Sequence, residues 1–577
     1  MSALHLAIDP DPARREQASR RMADSLMRQG LPAPRWHDWA GIRLGWHATP
    51  GCHDPEAQWR LFDGGLVACV GTLFYRGLSG AQALDALWLD FQGARCAASH
   101  ALAGEYQVVL ARDGRIWSFG DPLGMIKLYE SADGRLLSTS WLACADAQSR
   151  RSIDPVGALD YVFNGANHGS RTVCEQVRIA DPALVRELSR GLRVPLFGPT
   201  HWLPGEPFTD AEEALACIGG RLRHLAEGWA QGFPGRLRAA LSGGFDSRLL
   251  LAVARATGQQ PALHVYGSPD SADVRVAQAI DRALGLGLAT IDKQRLEQQL
   301  RQAALPDPAA NLDFFDGLPI DGIDDAGADR QTRLAQSADG ALALNGGGGE
   351  VLRNFFYLPD RSYRPIDLVQ VFYSGFDPAA VRQPRALAEL RAHLAETIAA
   401  ETGCRGPLSR RQVELVYPLV RGRYWTSRNN SMAARCGHFL TPLLDPVIVK
   451  SAARLPLAWK EYGRFEARLI ERLAPELASL PLCYGFSPAE GPPIGYRLSM
   501  WLQQRRPPWL RAASARWRAR AGLRRGATAN GPTGAADGRA PRFEATGALI
   551  DAAALRSPAQ RARLLTLERA LAGPRSG

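Results

Sequence analysis

One short loop in this 577-residue chain carries residue types suited to holding phosphate, Leu241-Ser-Gly-Gly-Phe-Asp-Ser247. Its glycines lack Cβ atoms, so backbone N–H groups can close around phosphate oxygens. Ser242 and Ser247 add hydroxyl donors, whereas Asp246 would repel a bare phosphate and therefore favours a bridging Mg²⁺. The simpler interpretation is a glycine-rich turn with Asp246 as a helix cap. We predict a phosphate site formed by Leu241, Ser242, Gly243, Gly244, Asp246 and Ser247.

A second glycine-rich segment ends in a carboxylate. The apolar residues Leu342-Ala-Leu344 predict a strand, and Asn345, four glycines and Glu350 follow it. Four glycines alone would also suit a flexible loop. Two carboxylates that flank a diphosphate suffice for a Mg²⁺ ion that keeps several waters. We therefore predict that Asp246 and Glu350 are the metal ligands and that Gly346 and Gly347 lie beside the nucleotide.

The elements that position these loops alternate between strands and helices. The sequence predicts a strand at 237–241, a helix at 247–257, a strand at 262–266 and a helix from Asp273 to Leu284. This order implies an α/β fold with a parallel, doubly wound sheet. Tyr266, at the end of the second strand, is a predicted nucleotide contact, and Asp273 is predicted mainly as an N-cap. A preceding helix is predicted from apolar residues that recur at intervals of three and four, namely Leu215, Ile218, Leu222, Leu225 and Trp229.

The first third of the chain has a different pattern. Short β-prone segments at 66–70, 106–110 and 136–140 are separated by turn sequences such as Asp113-Gly114. They predict an antiparallel sheet domain that ends near residue 195. Helical patterns dominate residues 365–475, and the Gly/Ala/Pro-rich residues 526–543 are predicted to be disordered.

Composition excludes several classes of protein. The net charge of +11 comes almost entirely from arginine, and the nine cysteines form no CxxC pair, which argues against a zinc site. No apolar run is long enough to span a membrane, and the first residues do not resemble a signal peptide, so we expect a cytoplasmic protein. The segment from Trp501 to Arg525 has eight arginines and no acidic residue. We expect a solvated helix there, although such a stretch can bind phosphates or anionic membranes.

The two loops resemble those of the asparagine synthetase family. The SGGxDS pattern of 242–247 is similar to the family's pyrophosphate-binding loop, with Arg248 where a second serine is frequent. Residues 345–350 resemble its acidic SGxGxDE motif, with Glu350 at the first acidic position and Val351 at the second. Weaker similarity continues through Ser431-Met-Ala433, Pro442-Leu-Leu-Asp445 and Leu455-Pro456. By this resemblance Lys460 and Arg468 are predicted catalytic residues, with Arg464 as a further candidate.

The resemblance also implies an Ntn-hydrolase-like, β-rich sandwich at residues 1–200. Gly71-Thr-Leu, Gly104-Glu-Tyr106 and Asp121-Pro-Leu-Gly124 carry it. Family members that hydrolyse glutamine expose a cysteine at position 2. Here that residue is Ser2, so we expect no glutaminase activity. An ATP-pyrophosphatase domain with a helical C-terminal half is implied at 205–500, and a basic, partly disordered tail at 501–577.

The implied activity is amide-bond formation through an acyl-adenylate, with ATP and Mg²⁺ as cofactors. Loss of the glutaminase makes the chain similar to β-lactam synthetases and lasso-peptide macrolactam cyclases. The expected partners are a small-molecule or peptide carboxylate, an amine and, for cyclisation, a precursor peptide and its protease; nucleic acid is not expected. Three alternatives stay open: an asparagine synthetase fed by glutamine or ammonia, an inactive interaction protein, and a nucleic-acid-modifying ATP pyrophosphatase that uses residues 501–525.

Overall fold

The computed structural model describes residues 2–49, 54–98, 101–198, 201–303, 307–323, 326–520 and 542–572. Their strands are β1 (Ala3–Ile8), β2 (Arg35–Trp39), β3 (Ile42–His47), β4 (Trp59–Phe62), β5 (Gly65–Tyr75), β6 (Leu78–Ser79), β7 (Leu102–Arg112), β8 (Arg115–Gly120), β9 (Tyr129–Ser131), β10 (Leu136–Ser138), β11 (Val177–Ile179), β12 (Leu184–Glu187), β13 (Leu192–Pro195), β14 (Leu237–Ala240), β15 (Ala262–Tyr266), β16 (Ala289–Ile291), β17 (Leu342–Leu344) and β18 (His438–Leu440).

Helices connect and cover the strands. They are α1 (Pro12–Arg28), α2 (Gly80–Asp90), α3 (Trp141–Asp146), α4 (Pro155–Asn164), α5 (Ala211–Gly232), α6 (Phe245–Ala256), α7 (Ala272–Leu284), α8 (Lys293–Ala303), α9 (Pro308–Phe314), α10 (Ala328–Gln336), α11 (Pro365–Phe372), α12 (Pro384–Glu401), α13 (Arg410–Val416), α14 (Ser427–Ala433), α15 (Pro446–Ala453), α16 (Leu457–Lys460), α17 (Arg464–Leu473), α18 (Pro475–Ala478), α19 (Ile494–Gln504), α20 (Pro508–Arg520) and α21 (Pro558–Leu571). A π-helical segment, Tyr417–Thr426, links α13 to α14. Among the described helices, none is both long and apolar enough to cross a membrane.

Two antiparallel sheets form the N-terminal half. The first has the order β11-β9-β10-β1-β3-β2, and the second has the order β13-β12-β8-β7-β5-β4, with β6 beside β5. Successive residues of a strand point to opposite faces, so β5 contributes to two cores. Leu66 and Val70 pack against the first sheet, whereas Val67 and Leu73 pack against α2. With α1 packed on the outer face of β1, the layers run helix, sheet, sheet, helix.

The third sheet is parallel and has five strands in the order β16-β15-β14-β17-β18. The chain starts at the central strand β14, moves outward to β15 and β16, and then returns to β17 and β18 on the other side. The strand order therefore reverses between β14 and β17, which are paired from Leu237 opposite Leu342 to Ala239 opposite Leu344. In sheets of this kind, ligands bind beyond the carboxyl ends of the strands at such a reversal.

The observed architecture is mixed α/β, with antiparallel sheets, a parallel sheet and many helices. The predicted strand 262–266 matches β15, and α6 and α7 lie within two residues of their predicted ends. The predicted apolar face of α5 is buried. Asp273 is not an N-cap, since Ser271 caps α7 by accepting a hydrogen bond from the Val274 N–H at 3.3 Å.

The C-terminal part has two features that were not predicted from the sequence. The helical stretch 365–475 is interrupted by β18, which completes the parallel sheet. Residues 542–572 return to the body of the molecule, where α21 packs against α4 and Ile550 bridges Val381. The predicted tail therefore contributes to the core at its far end. Most of the segment predicted to be disordered, 526–541, lies outside the described residues.

Candidate active site at the carboxyl ends of the parallel strands

The 242–247 loop joins the central strand β14 to α6. Ser247 Oγ accepts the Ser242 N–H at 2.9 Å and lies 3.0 Å from Ser242 Oγ, so the two hydroxyls close the loop. Gly244 is the N-cap of α6, and Asp246 lies in the first turn of this helix rather than at its cap. The loop and the helix N-terminus thus face the reversal point between β14 and β17, where the helix dipole favours an anion.

Three N–H groups of this loop have partners within the protein. Besides the Ser242 N–H, the Gly243 N–H donates to Asp273 Oδ1 at 2.9 Å and the Gly244 N–H donates to Ser242 Oγ at 3.3 Å. Gly243 also accepts a hydrogen bond from the Cys483 N–H at 2.9 Å. A Cβ at position 243 would lie 2.7 Å from Cys483 Cβ, so only glycine permits this approach. A phosphate that used these three N–H groups would have to replace those partners.

The second predicted loop packs directly against the first. A Cβ at Gly346 would lie 3.0 Å from the Ser247 nitrogen, and a Cβ at Gly349 would lie 2.5 Å from Asp246 Cγ. The absence of side chains at these two positions therefore brings the loops together. Gly347 is held differently, since its N–H donates to Asn345 Oδ1 at 3.0 Å. The structure thus brings Ser247, Asp246 and the 346–350 segment into one crevice.

An arginine lies between the carboxylates of this crevice. Arg353 Nη2 is 2.7 Å from Asp246 and 3.9 Å from Glu350 Oε1, and Arg353 Nε is 3.4 Å from Glu466 Oε2. Glu350 Oε2 also accepts hydrogen bonds from the Tyr417 hydroxyl at 2.7 Å and the Gly348 N–H at 3.1 Å. Three carboxyl groups therefore surround one guanidinium group.

Burial sets the protonation of this cluster. The side chains of Asp246 and Glu350 are 21% and 25% exposed, whereas Glu466 is fully buried. Burial, together with the Asp246 charge, raises the pKa of Glu466 well above its ordinary range. Burial also raises the pKa of Asp246, and Arg353 opposes this effect. Burial therefore favours the protonated form of Glu466, and Arg353 is the cation that lies nearest to all three carboxyl groups.

The donor set suits a hard divalent cation. Asp246 and Glu350 are half-buried carboxylates on facing loops, and Asp246 Oδ1 lies 2.7 Å from Arg353 Nη2. Within the described part of the chain there is no group of three or more His, Cys, Asp or Glu side chains arranged for a metal. A Mg²⁺ ion held by Asp246 and Glu350 would complete its shell with waters and phosphate oxygens. Arg353 competes with such an ion for Asp246.

Tyr266 lies at the carboxyl end of β15, at the same edge of the sheet. Its hydroxyl accepts a hydrogen bond from Gln336 Nε2, and Lys293 Nζ lies 4.3 Å from the centroid of its ring. Burial raises the pKa of the Tyr266 hydroxyl to about 12, so the group is neutral at ordinary pH. Its half-buried ring remains a predicted contact for the nucleotide.

Lys460 and Arg468 do not join the crevice. Lys460 is fully buried, and its Nζ pairs with Glu414 at 2.8 Å. Arg468 lies on the exposed side of α17, where it pairs with Glu212 at the surface. It follows Glu466 by two residues, which places the two side chains on opposite faces of that helix. Both side chains pair with carboxylates outside the crevice, and their catalytic roles stay predictions.

Two further residues have settled positions. Arg248 is fully buried, and its guanidinium donates to the carbonyls of Leu477, Leu480 and Pro481, so it anchors the segment after α18 and does not reach the crevice. Ser2 is also fully buried, beside β1. Sequence analysis missed Arg353, Tyr417 and Glu466. The one sequence feature that could have indicated Arg353 is its position three residues after Glu350, a spacing at which the two side chains can pair.

Comparison with known proteins adds little. No protein-family model matches the chain, and no curated protein matches its sequence. One solved structure that is similar, described as the structure of the allosteric regulatory enzyme of purine biosynthesis, shares 12% sequence identity with a TM-score of 0.21. The match covers 51% of this chain and 65% of that one, less than two thirds of its length.

Proposed function

We propose that this chain is an ATP-dependent amide ligase that releases AMP and pyrophosphate. The observation that carries the proposal is the crevice at the reversal point of the parallel sheet, between β14 and β17. There the SGGxDS loop, which includes Asp246, packs against the loop that contains Glu350. This arrangement is in keeping with the resemblance to the asparagine synthetase family. The layered sheets of the N-terminal half would then correspond to an amidotransferase-like domain without glutaminase activity.

The reaction would run in two steps. An oxygen of the substrate carboxylate attacks the α-phosphorus of ATP, and pyrophosphate leaves with the electron pair of the broken P–O bond. The nitrogen of an amine then attacks the acyl carbon, AMP leaves, and the amine loses a proton. A preorganised crevice would lower the barrier by stabilising charge that develops on the leaving groups.

Residues of the two loops have distinct tasks in this scheme. Ser242 and Ser247 offer hydroxyl donors to the pyrophosphate, and the N-terminus of α6 adds its dipole. Asp246 and Glu350 would hold Mg²⁺, which when bound offsets the negative charge of the phosphates. Before the nucleotide binds, Arg353 offsets part of the negative charge of the crevice, because it pairs with Asp246.

The nitrogen source we propose is an amine of the substrate rather than glutamine. A glutamine-hydrolysing route requires an accessible nucleophile, and the Ser2 side chain is completely buried. Aspartate with ammonia, and peptides that carry both a carboxylate and an amine, are the first substrates to compare.

The test measures nucleotide binding and product identity separately. Asp246→Asn should reduce AMP formation by about 10²-fold, because it weakens charge stabilisation in the crevice. Asp339→Asn, at an exposed surface pair with Arg238, is the matched control and should behave like the wild type. Calorimetric titration with MgATP reports binding without any substrate. ADP as the main product, or equal turnover in both variants, would refute the ligase assignment.

A second candidate is a non-catalytic member of the same fold. It is favoured by the three loop N–H groups that are bonded within the protein and by Arg353 in the place a cation would occupy. In that case the wild type should not bind MgATP in the calorimeter. Binding without turnover would instead point to an untested substrate.

A further inference from the structure

The helix pair α19 and α20 exposes an unusual amount of apolar surface. Half of the large apolar side chains that are exposed in the described chain lie within residues 494–517. We call this the 494–517 surface, and its exposed apolar residues are Ile494, Leu498, Trp501, Leu502, Trp509, Leu510 and Trp517. Exposed apolar patches of this kind mark binding surfaces in soluble proteins.

The apolar residues of α19 form one face of the helix. Ile494, Leu498, Trp501 and Leu502 are spaced at i, i+4, i+7 and i+8, which places them together on the exposed side. The other side holds the helix to the body. There the ring of Tyr496 packs 5.2 Å from that of Phe486, and Gln504 Nε2 donates to Glu461 at 3.3 Å. The apolar face therefore points outward while the helix is anchored by different residues.

The same segment is strongly basic. No acidic residue occurs between Glu490 and Asp537, while residues 494–520 include seven arginines. The guanidinium of Arg505 stacks 3.9 Å over the ring of Trp501, so charge and aromatic surface are adjacent. Tryptophan beside arginine is typical of residues that sit at the boundary between lipid headgroups and acyl chains.

A cavity of about 300 Å³ opens where α19 meets α20. Three arginines, Arg361, Arg505 and Arg506, line it, and none of its eight lining residues is acidic. Guanidinium groups bind phosphate with paired hydrogen bonds. The cavity can therefore receive a phosphate group at the edge of the apolar surface.

We propose that the 494–517 surface docks on a membrane of anionic phospholipid. The apolar face of α19 and the tryptophans of α20 would enter the interfacial layer, and the cavity with Arg505 and Arg506 would bind a lipid phosphate. The segment has no acidic residues of its own to pair with its arginines. The negative charges of anionic lipids would pair with them instead.

Other occupants fit less well. A second copy of this chain would place the same arginines against each other with no acidic residue to offset them, because a twofold interface pairs identical patches. Nucleic acid would satisfy the arginines and stack on tryptophan, but it offers little to Ile494, Leu498 and Leu502. The bilayer satisfies both kinds of side chain. This inference does not depend on the proposed function, because docking is measured without catalysis.

The experiment is co-sedimentation of the full chain with phosphatidylcholine vesicles that do or do not contain phosphatidylglycerol. We expect binding only to the anionic vesicles, reduced at high salt. Leu498→Gln combined with Trp509→Gln should weaken it about ten-fold or more. The matched control combines Leu61→Gln with Leu89→Gln, which are equally exposed in the N-terminal half and should have no effect.

A second pair of variants tests the charged cavity. Arg505→Gln with Arg506→Gln should weaken vesicle binding about ten-fold and reduce its salt dependence, whereas Arg20→Gln with Arg385→Gln, at exposed helix positions away from the cavity, should not. Inorganic phosphate at matched concentration should not release the protein from vesicles, since it offers no acyl layer. Full release by phosphate would overturn the lipid assignment. The lipid assignment would also be overturned if the protein bound neutral vesicles equally well or bound no vesicles at all. Preferential binding to duplex DNA, or a dimer that these variants abolish, would overturn it as well.

Discussion

Arg353 determines the charge of the crevice at the scale of single residues. It contacts Asp246 and Glu466 and lies near Glu350, so one cation serves three carboxyl groups. Removing one charged residue from a buried ionic cluster lowers the free energy of unfolding by more than the ion pair itself adds to it. The reason is that the remaining buried charges are left without a partner. A divalent cation offers the same compensation from outside the chain.

We therefore expect Arg353→Gln to lower the free energy of unfolding by about 3 kcal/mol in a chelating buffer. Millimolar Mg²⁺ should restore much of this loss, and it should stabilise the wild type less, because Arg353 already occupies part of the site. Thermal unfolding with and without Mg²⁺ measures both effects. The control is Arg238→Gln, at a surface pair with Asp339. Identical Mg²⁺ responses in all three proteins would argue against metal ligation by Asp246 and Glu350.

Glu105 gives a prediction about pH. It is buried where β7 meets β18, and its carboxyl accepts hydrogen bonds from the Thr441 N–H at 2.5 Å and Asn430 Nδ2 at 2.9 Å. Burial raises its pKa to about 8 from an ordinary value of 4.5. Between these pH values the folded protein keeps a proton that the unfolded chain has lost. Stability from this group is therefore present at low pH and lost as pH rises to 8.

Glu105→Gln cannot lose a proton, so it should remove this pH dependence. We expect the Tm of the wild type to fall relative to that of the variant as pH rises from 5 to about 8. Calorimetry over this range compares the two proteins directly. A constant difference in Tm would mean that Glu105 is ionised in the fold throughout, held by its two hydrogen-bond donors.

The motifs of the two glycine-rich loops predicted that Asp246 and Glu350 lie close together, and in the structure both carboxylates lie beside Arg353. Their role as metal ligands stays a prediction. The same reasoning did not find Glu466 or Arg353. Glu466 lies in an ordinary amphipathic helix far along the chain, and only tertiary packing brings it to the crevice. The motif position of Lys460 does not reveal its buried partner, Glu414.

At the scale of elements, the crevice depends on how closely two loops approach. Gly349 lies against the Asp246 side chain, whereas a Cβ at Gly347 would meet only the Asn345 side chain, at 3.3 Å or more. The two glycines are two residues apart in the same loop, but they differ in the space available for a Cβ atom. They form a matched pair for testing whether loop contact positions the carboxylate.

Gly349→Ala should displace the Asp246 side chain and lower AMP formation by about 10²-fold, since small displacements of catalytic groups have large effects. Its overpacking should also cost about 2 kcal/mol of stability. Gly347→Ala, in the same loop, leaves Asp246 in place and should lower AMP formation less than Gly349→Ala does, even though Gly347 is predicted to lie beside the nucleotide. Turnover and chemical denaturation of both variants provide the measurement. Similar losses in the two variants would show that loop flexibility, rather than contact with Asp246, limits activity.

Long elements with a regular apolar period were the easiest to predict. The apolar face of α5 follows from spacing alone. The three-residue strand β18 could not be found, because its pairing with β17 rather than its composition creates it. Residues 542–572 contain only scattered apolar residues, so no local sequence pattern predicts that they pack against the body of the molecule.

At the scale of the whole molecule, the N-terminal sheets and the parallel sheet share one core. Phe74 of β5 packs with Trp229 and Phe233 from the segment that leads into β14. A buried ionic group reinforces this junction: Asp316 pairs with Arg428 at 2.8 Å and Arg435 at 3.0 Å and accepts the Trp141 N–H at 3.0 Å. Because apolar and ionic contacts both cross the junction, we expect the two halves to unfold together.

Asp316→Asn tests this coupling without changing the backbone, since asparagine also tolerates the positive φ of 57° found at this position. Burial alone would raise the pKa of Asp316, but Arg435 and Arg428 outweigh it and lower the pKa. The variant should lose about 3 kcal/mol near neutral pH, and less in acid, where the wild-type carboxylate is protonated. Asp339→Asn is the control, with a φ of 60° and a carboxylate that is 83% exposed. Two separate unfolding transitions in the wild type would contradict the shared core, whereas a pH-independent loss would contradict the ionic role of Asp316.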